Sequence, residues 1–135
     1  MKPKKIIRVR EVMDDRFLEL DGLRTVREAL EMFQANGPVP ILIEKRHEDD
    51  EYGIVVLADI TKKVLARDRA PERVNLYEIM TKPVLSVRPE MDVRYCARML
   101  QRFGISVAPV VENGDILGMV GYEGMVLRGL LKSDS

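Results

Sequence analysis

Residues 53–60 read GIVVLADI, and residues 118–125 read GMVGYEGM. Both stretches open on glycine and run through apolar residues toward a helix. They part at one chemically loaded place, where the first has Asp59 and the second has Gly124. A phrase written twice points to an internal repeat, and a repeat constrains the fold before any single residue does.

Working outward, a shift of 67 residues lays Val9–Gly37 on Leu76–Gly104. Identical pairs include Glu11/Glu78, Met13/Met80, Leu18/Leu85, Val26/Val93, Arg27/Arg94, Met32/Met99, Gln34/Gln101 and Gly37/Gly104. Further on the shift becomes 65, because the loops differ in length. The chain is a tandem duplication. Residues 1–67 hold the first repeat with its N-terminal segment, 68–75 (DRAPERVN) form a polar linker, and 76–135 hold the second repeat.

Each repeat reads β-α-β-β-α. A short helical turn ends at Met13 or Met80 and is followed by an extended piece, RFLEL or PVLSV. Thr25 and Asp92 are helix N-caps, and Thr25 with Glu28 fits a capping box. Val26, Ala29, Leu30 and Phe33 recur at helical spacing, as do Val93, Cys96, Ala97, Leu100 and Phe103. Gly37 and Gly104 close these helices. Strands VPILIE and VAPVVE follow, then an acidic turn (KRHEDDEY) in one repeat and a hairpin signal (NGD) in the other. The second strands, GIVVLA and GMVGY, feed helices expected over 60–69 and 123–132. The fold class is α/β (α+β), with the two repeats related by a pseudo-two-fold axis.

Composition narrows the function classes. The 135 residues contain 46% hydrophobic side chains, enough for a core, and equal numbers of basic and acidic residues, 22 each. Zero net charge argues against a dedicated nucleic-acid binder, and no apolar run reaches membrane-span length. One cysteine excludes an internal disulfide and suits a reducing compartment, so a soluble cytoplasmic protein is expected. One His and one Cys leave no multi-ligand zinc site, and Cys96 reads as a core residue. There is no Walker loop, GxGxxG or GxSxG, so no catalytic residue and no metal site is expected.

The repeat order and three stretches, IMTKPVLSVRPEMDV (79–93), GISVAPVVENGDILGMV (104–120) and GIVVLADI (53–60), resemble the CBS (cystathionine-β-synthase) domain, which works as a tandem CBS-pair, or Bateman module. The resemblance covers about Val9 to Leu131. It implies a regulatory homodimer that binds an adenosine-containing nucleotide of the AMP, ADP or ATP class, or S-adenosylmethionine, without catalysis and with no required cofactor. The family's ligand motif runs Gly, two apolar residues, Thr or Ser, two variable residues, then an Asp that accepts from the ribose hydroxyls. Here Asp59 keeps that place and Val56 replaces the hydroxyl residue, while in the second copy Gly121 and Gly124 replace both.

By the same resemblance Thr81, Lys82 and Val84 line the adenine with main-chain groups, and Val107, Ala108 and Pro109 close the other side. Lys62, Lys63 and Arg102 are candidates for phosphate charge. Binding of one nucleotide per chain is the expectation. Asp59 also reads as the N-cap of a helix starting at Ile60, and Tyr122 as a packing residue or a base-stacking one. The alternative function is a dimeric interaction module with empty clefts that docks an unidentified protein partner.

Overall fold

A computed structural model describes residues 5–82 and 84–131. The chain forms two compact units, Phe17–Val84 and Met1–Arg16 with Leu85–Ser135. They are called here the contiguous unit and the split unit. Each unit therefore takes the short turn that precedes a repeat from the opposite end of the alignment: Leu76–Glu78 folds into the contiguous unit and Val9–Glu11 into the split unit.

In the contiguous unit the order is β1 (Leu18–Leu20), α1 (Val26–Asn36), β2 (Ile41–Ile43), β3 (Gly53–Val55) and α2 (Leu57–Ile60). Helix α2 runs on into π-helical turns over Thr61–Leu65, and 3₁₀ turns follow at Pro71–Arg73 and Leu76–Glu78. Strand β1 pairs parallel with β2 (Leu18 on Ile41), and β2 pairs antiparallel with β3 (Ile41 on Val55). Thr81 then bridges Ile54 on the far side of β3. Helix α1 starts where the capping box predicts: the Glu28 N–H donates to Thr25 Oγ1 at 3.1 Å, and the Thr25 N–H to Glu28 Oε1 at 3.4 Å. Val26 and Ala29 of this helix pack with Ile41, Val55, Val64, Leu76 and Ile79 in one core.

The split unit repeats the plan. Its elements are the 3₁₀ turn Val9–Glu11, α3 (Val93–Phe103), β4 (Val107–Glu112), β5 (Asp115–Gly121) and α4 (Tyr122–Gly124), which widens into π-helical turns over Met125–Leu130. Strands β4 and β5 form an antiparallel hairpin closed by Asn113 (φ +52°) and Gly114 (φ +82°), the pair of left-handed residues that a tight hairpin needs. Val87 lies parallel to Val110, as β1 does to β2, and Asp14 bridges Met119, as Thr81 does Ile54. Asp92 caps α3 by accepting from the Arg94 N–H at 2.9 Å, and its carboxyl is held below the usual range first by the Arg94 guanidinium. Cys96 is fully buried with Val9, Val12, Leu100 and Val110, and burial pushes its thiol up to about 11. Among the described residues no helix is long and apolar enough to cross a membrane.

Two sequence expectations need correction. The last helix of each repeat begins earlier than the pattern suggests, at Leu57 and Tyr122 rather than 60 and 123. The expected end at 132 lies outside the described residues. Asp59 is therefore not an N-cap: Val56 occupies that place, in extended conformation, and Asp59 is the third residue of the helix.

The glycine–carboxylate exchange has a packing cause. Arg128, four residues after Gly124, donates to the Val12 carbonyl and lies 3.7 Å from Asp14 Oδ2. A Cβ at position 124 would overlap the Val12 carbonyl oxygen and sit 2.5 Å from Arg128 Nη2. The matching residue of the first repeat, Lys63, donates to the Ile79 carbonyl at 2.9 Å. The two cations do the same work at the end of the same 3₁₀ turn. Lys63 is slim and has Asp59 beside it; Arg128 carries a broad fork, and the space a side chain at 124 would need is already filled.

Gly124→Ala should destabilise the protein by about 1–3 kcal/mol, the usual range for overpacking against fixed backbone, and Gly124→Asp by at least as much. Denaturant melts measure this. An alanine variant as stable as the parent would show that the Val12 carbonyl yields freely.

Candidate functional site

The contiguous unit places Asp59 just past the end of β3. Val56 leaves the sheet extended and α2 begins one residue later, which brings the Asp59 carboxylate back over the free N–H groups of the helix start. Asp59 Oδ2 accepts from the Val56 N–H at 2.8 Å. Valine has no acceptor to return the bond, so only the acidic half of a capping box exists. A carboxylate in the first turn is also favoured by the helix dipole. Its other oxygen, Oδ1, lies 3.7 Å from Lys63 Nζ. That carboxylate is largely buried, yet among the described residues it makes one hydrogen bond of the several an ionised carboxylate can accept. It has acceptor capacity left for a pair of hydroxyls.

The segment expected to read a base lies in the same unit, and much of its main chain is already used. Thr81 exchanges both backbone hydrogen bonds with Ile54, at 2.9 and 3.0 Å, and the Val84 N–H donates to the Tyr52 carbonyl at 3.2 Å. These bonds attach the exchanged segment to β3, so the groups of Thr81 and the N–H of Val84 hold the sheet. The Lys82 N–H has no hydrogen-bond partner among the described residues. The Lys82 side chain is ion-paired to Asp50, whose carboxylate also accepts from the Arg46 N–H at 2.9 Å. The acidic loop is thereby tied down at Asp50, with the Lys45 ammonium 5.1 Å from the Tyr52 ring centre.

Lys62 is exposed and unpaired among the described residues; it is Lys63, one residue on, that lies beside Asp59. The i,i+4 spacing of Asp59 and Lys63 was the signal for that contact. Asp50 carried no such signal, because its partner is far along the chain. The remaining expected residues belong to the split unit. Ala108 and Pro109 are buried in β4 and paired with Val120 and Met119, Val107 is half-buried opposite Gly121, and Arg102 is exposed near the end of α3. Tyr122 donates its hydroxyl to the Ile105 carbonyl at 2.9 Å, a packing role. Among the described residues no cluster of His, Cys, Asp and Glu could hold a metal ion.

The Asp50 contact has a definite acid signature. The Lys82 ammonium first, then the Arg46 N–H, hold the Asp50 carboxyl well below the usual carboxylate range. Its stabilising contribution is complete above the unfolded value of about 4 and is lost as pH falls toward the depressed folded value. Asp50→Asn should melt at a lower temperature than the parent at neutral pH, with the gap narrowing once pH drops below about 4. A gap that stays constant in acid would remove the ion pair from the account.

Comparison with known proteins places this geometry. The CBS domain family matches residues 76–126. The hexameric CBS-CP12 protein from bloom-forming cyanobacteria is similar at 32% identity, over 91% of this chain and 71% of that one, with a TM-score of 0.86. Two complexes share the fold at lower identity. The CBS domain pair of protein MJ0100, in complex with 5′-methylthioadenosine and S-adenosylmethionine, is 22% identical over 97% of this chain and all of that one (TM-score 0.77). A CBS domain protein from Pyrobaculum aerophilum complexed with AMP is 20% identical over 95% and 98% (TM-score 0.77). Among curated relatives, an uncharacterised protein of Methanopyrus kandleri is 33% identical over 85 residues, 62% of this chain and 42% of that one. The chain spans less than half the length of the curated relatives it matches, which include archaeal homoserine O-acetyltransferases. The duplicated β-α-β-β-α plan and the 32% identity with a protein it covers to 71% show that this chain belongs to the CBS-domain family, as a tandem pair.

Proposed function

We propose that this CBS pair is a ligand-sensing module that binds one adenosine-containing molecule per chain at Asp59 and performs no chemistry of its own. The observation that carries the reading is the Asp59 carboxylate, fixed by the Val56 N–H through one oxygen and left with spare acceptor capacity for the ribose hydroxyls. Two proteins of the same fold are complexed with AMP or with 5′-methylthioadenosine and S-adenosylmethionine, which supports an adenosine core as the recognised part. One ligand per chain is supported by the second copy, where Gly124 offers no carboxylate and Arg128 fills the space. The ligand would act by binding one arrangement of the protein better than another, since only differential affinity moves an equilibrium. A homodimer in the cytoplasm is the proposed form.

A second reading, a module that docks a partner protein, has its own observation. Leu127, Leu130 and Leu131 are 54%, 61% and 70% exposed on the last helix, an apolar stripe of the kind that marks interaction surfaces. That surface equally suits the homodimer.

Calorimetric titration with AMP, ADP, ATP, 5′-methylthioadenosine and S-adenosylmethionine should give saturable binding near one per chain for at least one of them. Asp59→Ala should weaken it by tenfold or more, about 1.4 kcal/mol. Asp59→Asn, which keeps an acceptor for the Val56 N–H, separates loss of the helix contact from loss of the carboxylate. No heat with any of the five moves the assignment to the docking module, and two per chain would show that the second copy binds without its carboxylate.

A further inference from the structure

The contiguous unit holds a cavity of about 760 Å³ that does not include Asp59 or Val56. It opens where β1 and β2, the parallel pair, both end: Asp21–Leu23 follow one strand and Glu44–Arg46 the other. The volume lies within the ordinary range for small-molecule sites.

The split unit supplies an internal control. Leu23 and Tyr77 correspond in the repeat to Glu90 and Arg10, and Lys45 corresponds to Glu112 by strand register, since Ile43 and Val110 lie opposite the matching glycines Gly53 and Gly118. There Arg10 reaches Glu90 Oε1 at 2.6 Å and Glu112 Oε2 at 3.5 Å, an ion-paired cluster over the strand ends. In the contiguous unit the same three positions make no such cluster. Leu23 and Tyr77 stand 70% and 49% exposed, an apolar wall facing an open cavity.

The groups around the cavity define what it takes. Leu23, Ile43, Tyr77 and Met80 are apolar walls. Asp21 is engaged with the Leu23 N–H at 2.8 Å, and Arg46 and Lys82 are engaged with Asp50. That leaves the Asp21 and Glu44 carboxylates and the Lys45 ammonium as the lining charges with no ionic partner among the described residues, Lys45 lying 5.1 Å from the Tyr52 ring centre. Carboxylates and one ammonium without ionic partners, beside an apolar wall, match a zwitterion with an apolar body.

We infer that this cavity is a second small-molecule site, separate from the Asp59 site, and that it takes an apolar α-amino acid. The ligand's carboxylate pairs with Lys45, its ammonium with Glu44, and its side chain lies on Leu23, Tyr77 and Met80. Met80 and Lys82 flank Thr81, which bridges β3, so the site shares a strand segment with the residues leading to Asp59.

The test is calorimetric titration of the purified protein with L-leucine, L-methionine and L-phenylalanine at millimolar concentrations, alongside isocaproate and isoamylamine, which each lack one of leucine's charges. At least one amino acid should bind, and neither single-charge analogue should match leucine. The double variant Leu23→Glu/Tyr77→Arg builds the ion pair of the split unit at two exposed positions. It should lose binding by more than about tenfold with an unchanged melting temperature. Should it fold poorly, Lys45→Glu at the exposed rim serves in its place with the same expected loss. Failure of all three amino acids to bind, equal binding of isocaproate or isoamylamine, or wild-type affinity in the folded variants would each overturn the assignment.

Discussion

In each unit a cation on the last helix donates to the carbonyl at the end of a 3₁₀ turn, Lys63 to Ile79 and Arg128 to Val12. Much of the remaining geometry depends on this contact. It anchors the turn that folds into the unit from outside its own repeat, and the residues just beyond that turn can then bridge the last strand: Thr81 on Ile54, Asp14 on Met119. The glycines that open both quoted phrases are the other half of the fit. A Cβ at Gly118 would come 2.5 Å from the Asp14 carbonyl oxygen, and one at Gly53 2.6 Å from Met80 Sδ. At Gly118 the neighbour is fixed backbone, a close-approach requirement that no turn preference would explain, while at Gly53 the room is taken by the Met80 side chain.

The carboxylate question resolves at the same contact. Lysine is a point charge on a narrow stem, arginine a planar fork with several donors. Where the cation is Lys63, the position one helical turn before it holds an aspartate, close enough to be its counter-ion. Where it is Arg128, the fork takes that volume, the residue shrinks to glycine, and Asp14, on the exchanged segment, becomes the nearby acid. Position 59 against 124 and position 63 against 128 therefore form a single exchange. On the proposed reading, the Lys63 version is the one that leaves a carboxylate at the start of the last helix with lone pairs to offer.

Those parts of the fold written in local signals were legible in the sequence. The Thr25–Glu28 capping box, the Asn113–Gly114 hairpin and the helical spacing of Val93, Cys96 and Leu100 each act over a few residues and appear where expected. The start of α2 was misplaced for a local reason: Val56 caps the helix without a side chain that advertises it, and Asp59 works from the third position. Nothing in the sequence discloses that the main chain of Thr81 is used by Ile54, or that Lys82 is taken by Asp50, because both contacts join distant segments. For the proposed Asp59 site the sequence names residue types; which of their atoms are already engaged it does not disclose.

Duplication explains why the two units can differ so much in polar chemistry while sharing a backbone plan. Once each unit has its sheet, its capped helix and its anchored turn, the strand ends and the start of the last helix can be completed with different side chains. The split unit fills both places with its own side chains, the Arg10 ion pairs over the strand ends and Arg128 at the helix start. The contiguous unit leaves the corresponding places less closed: an open cavity with Leu23 and Tyr77 exposed, and a carboxylate bonded through one oxygen. Exposed apolar wall and unfilled acceptor capacity are locally unfavourable choices, and the other unit shows that the same scaffold accommodates better-filled ones. Departures of that kind from self-consistent packing are where function is sought in a folded chain, and here both fall in the contiguous unit.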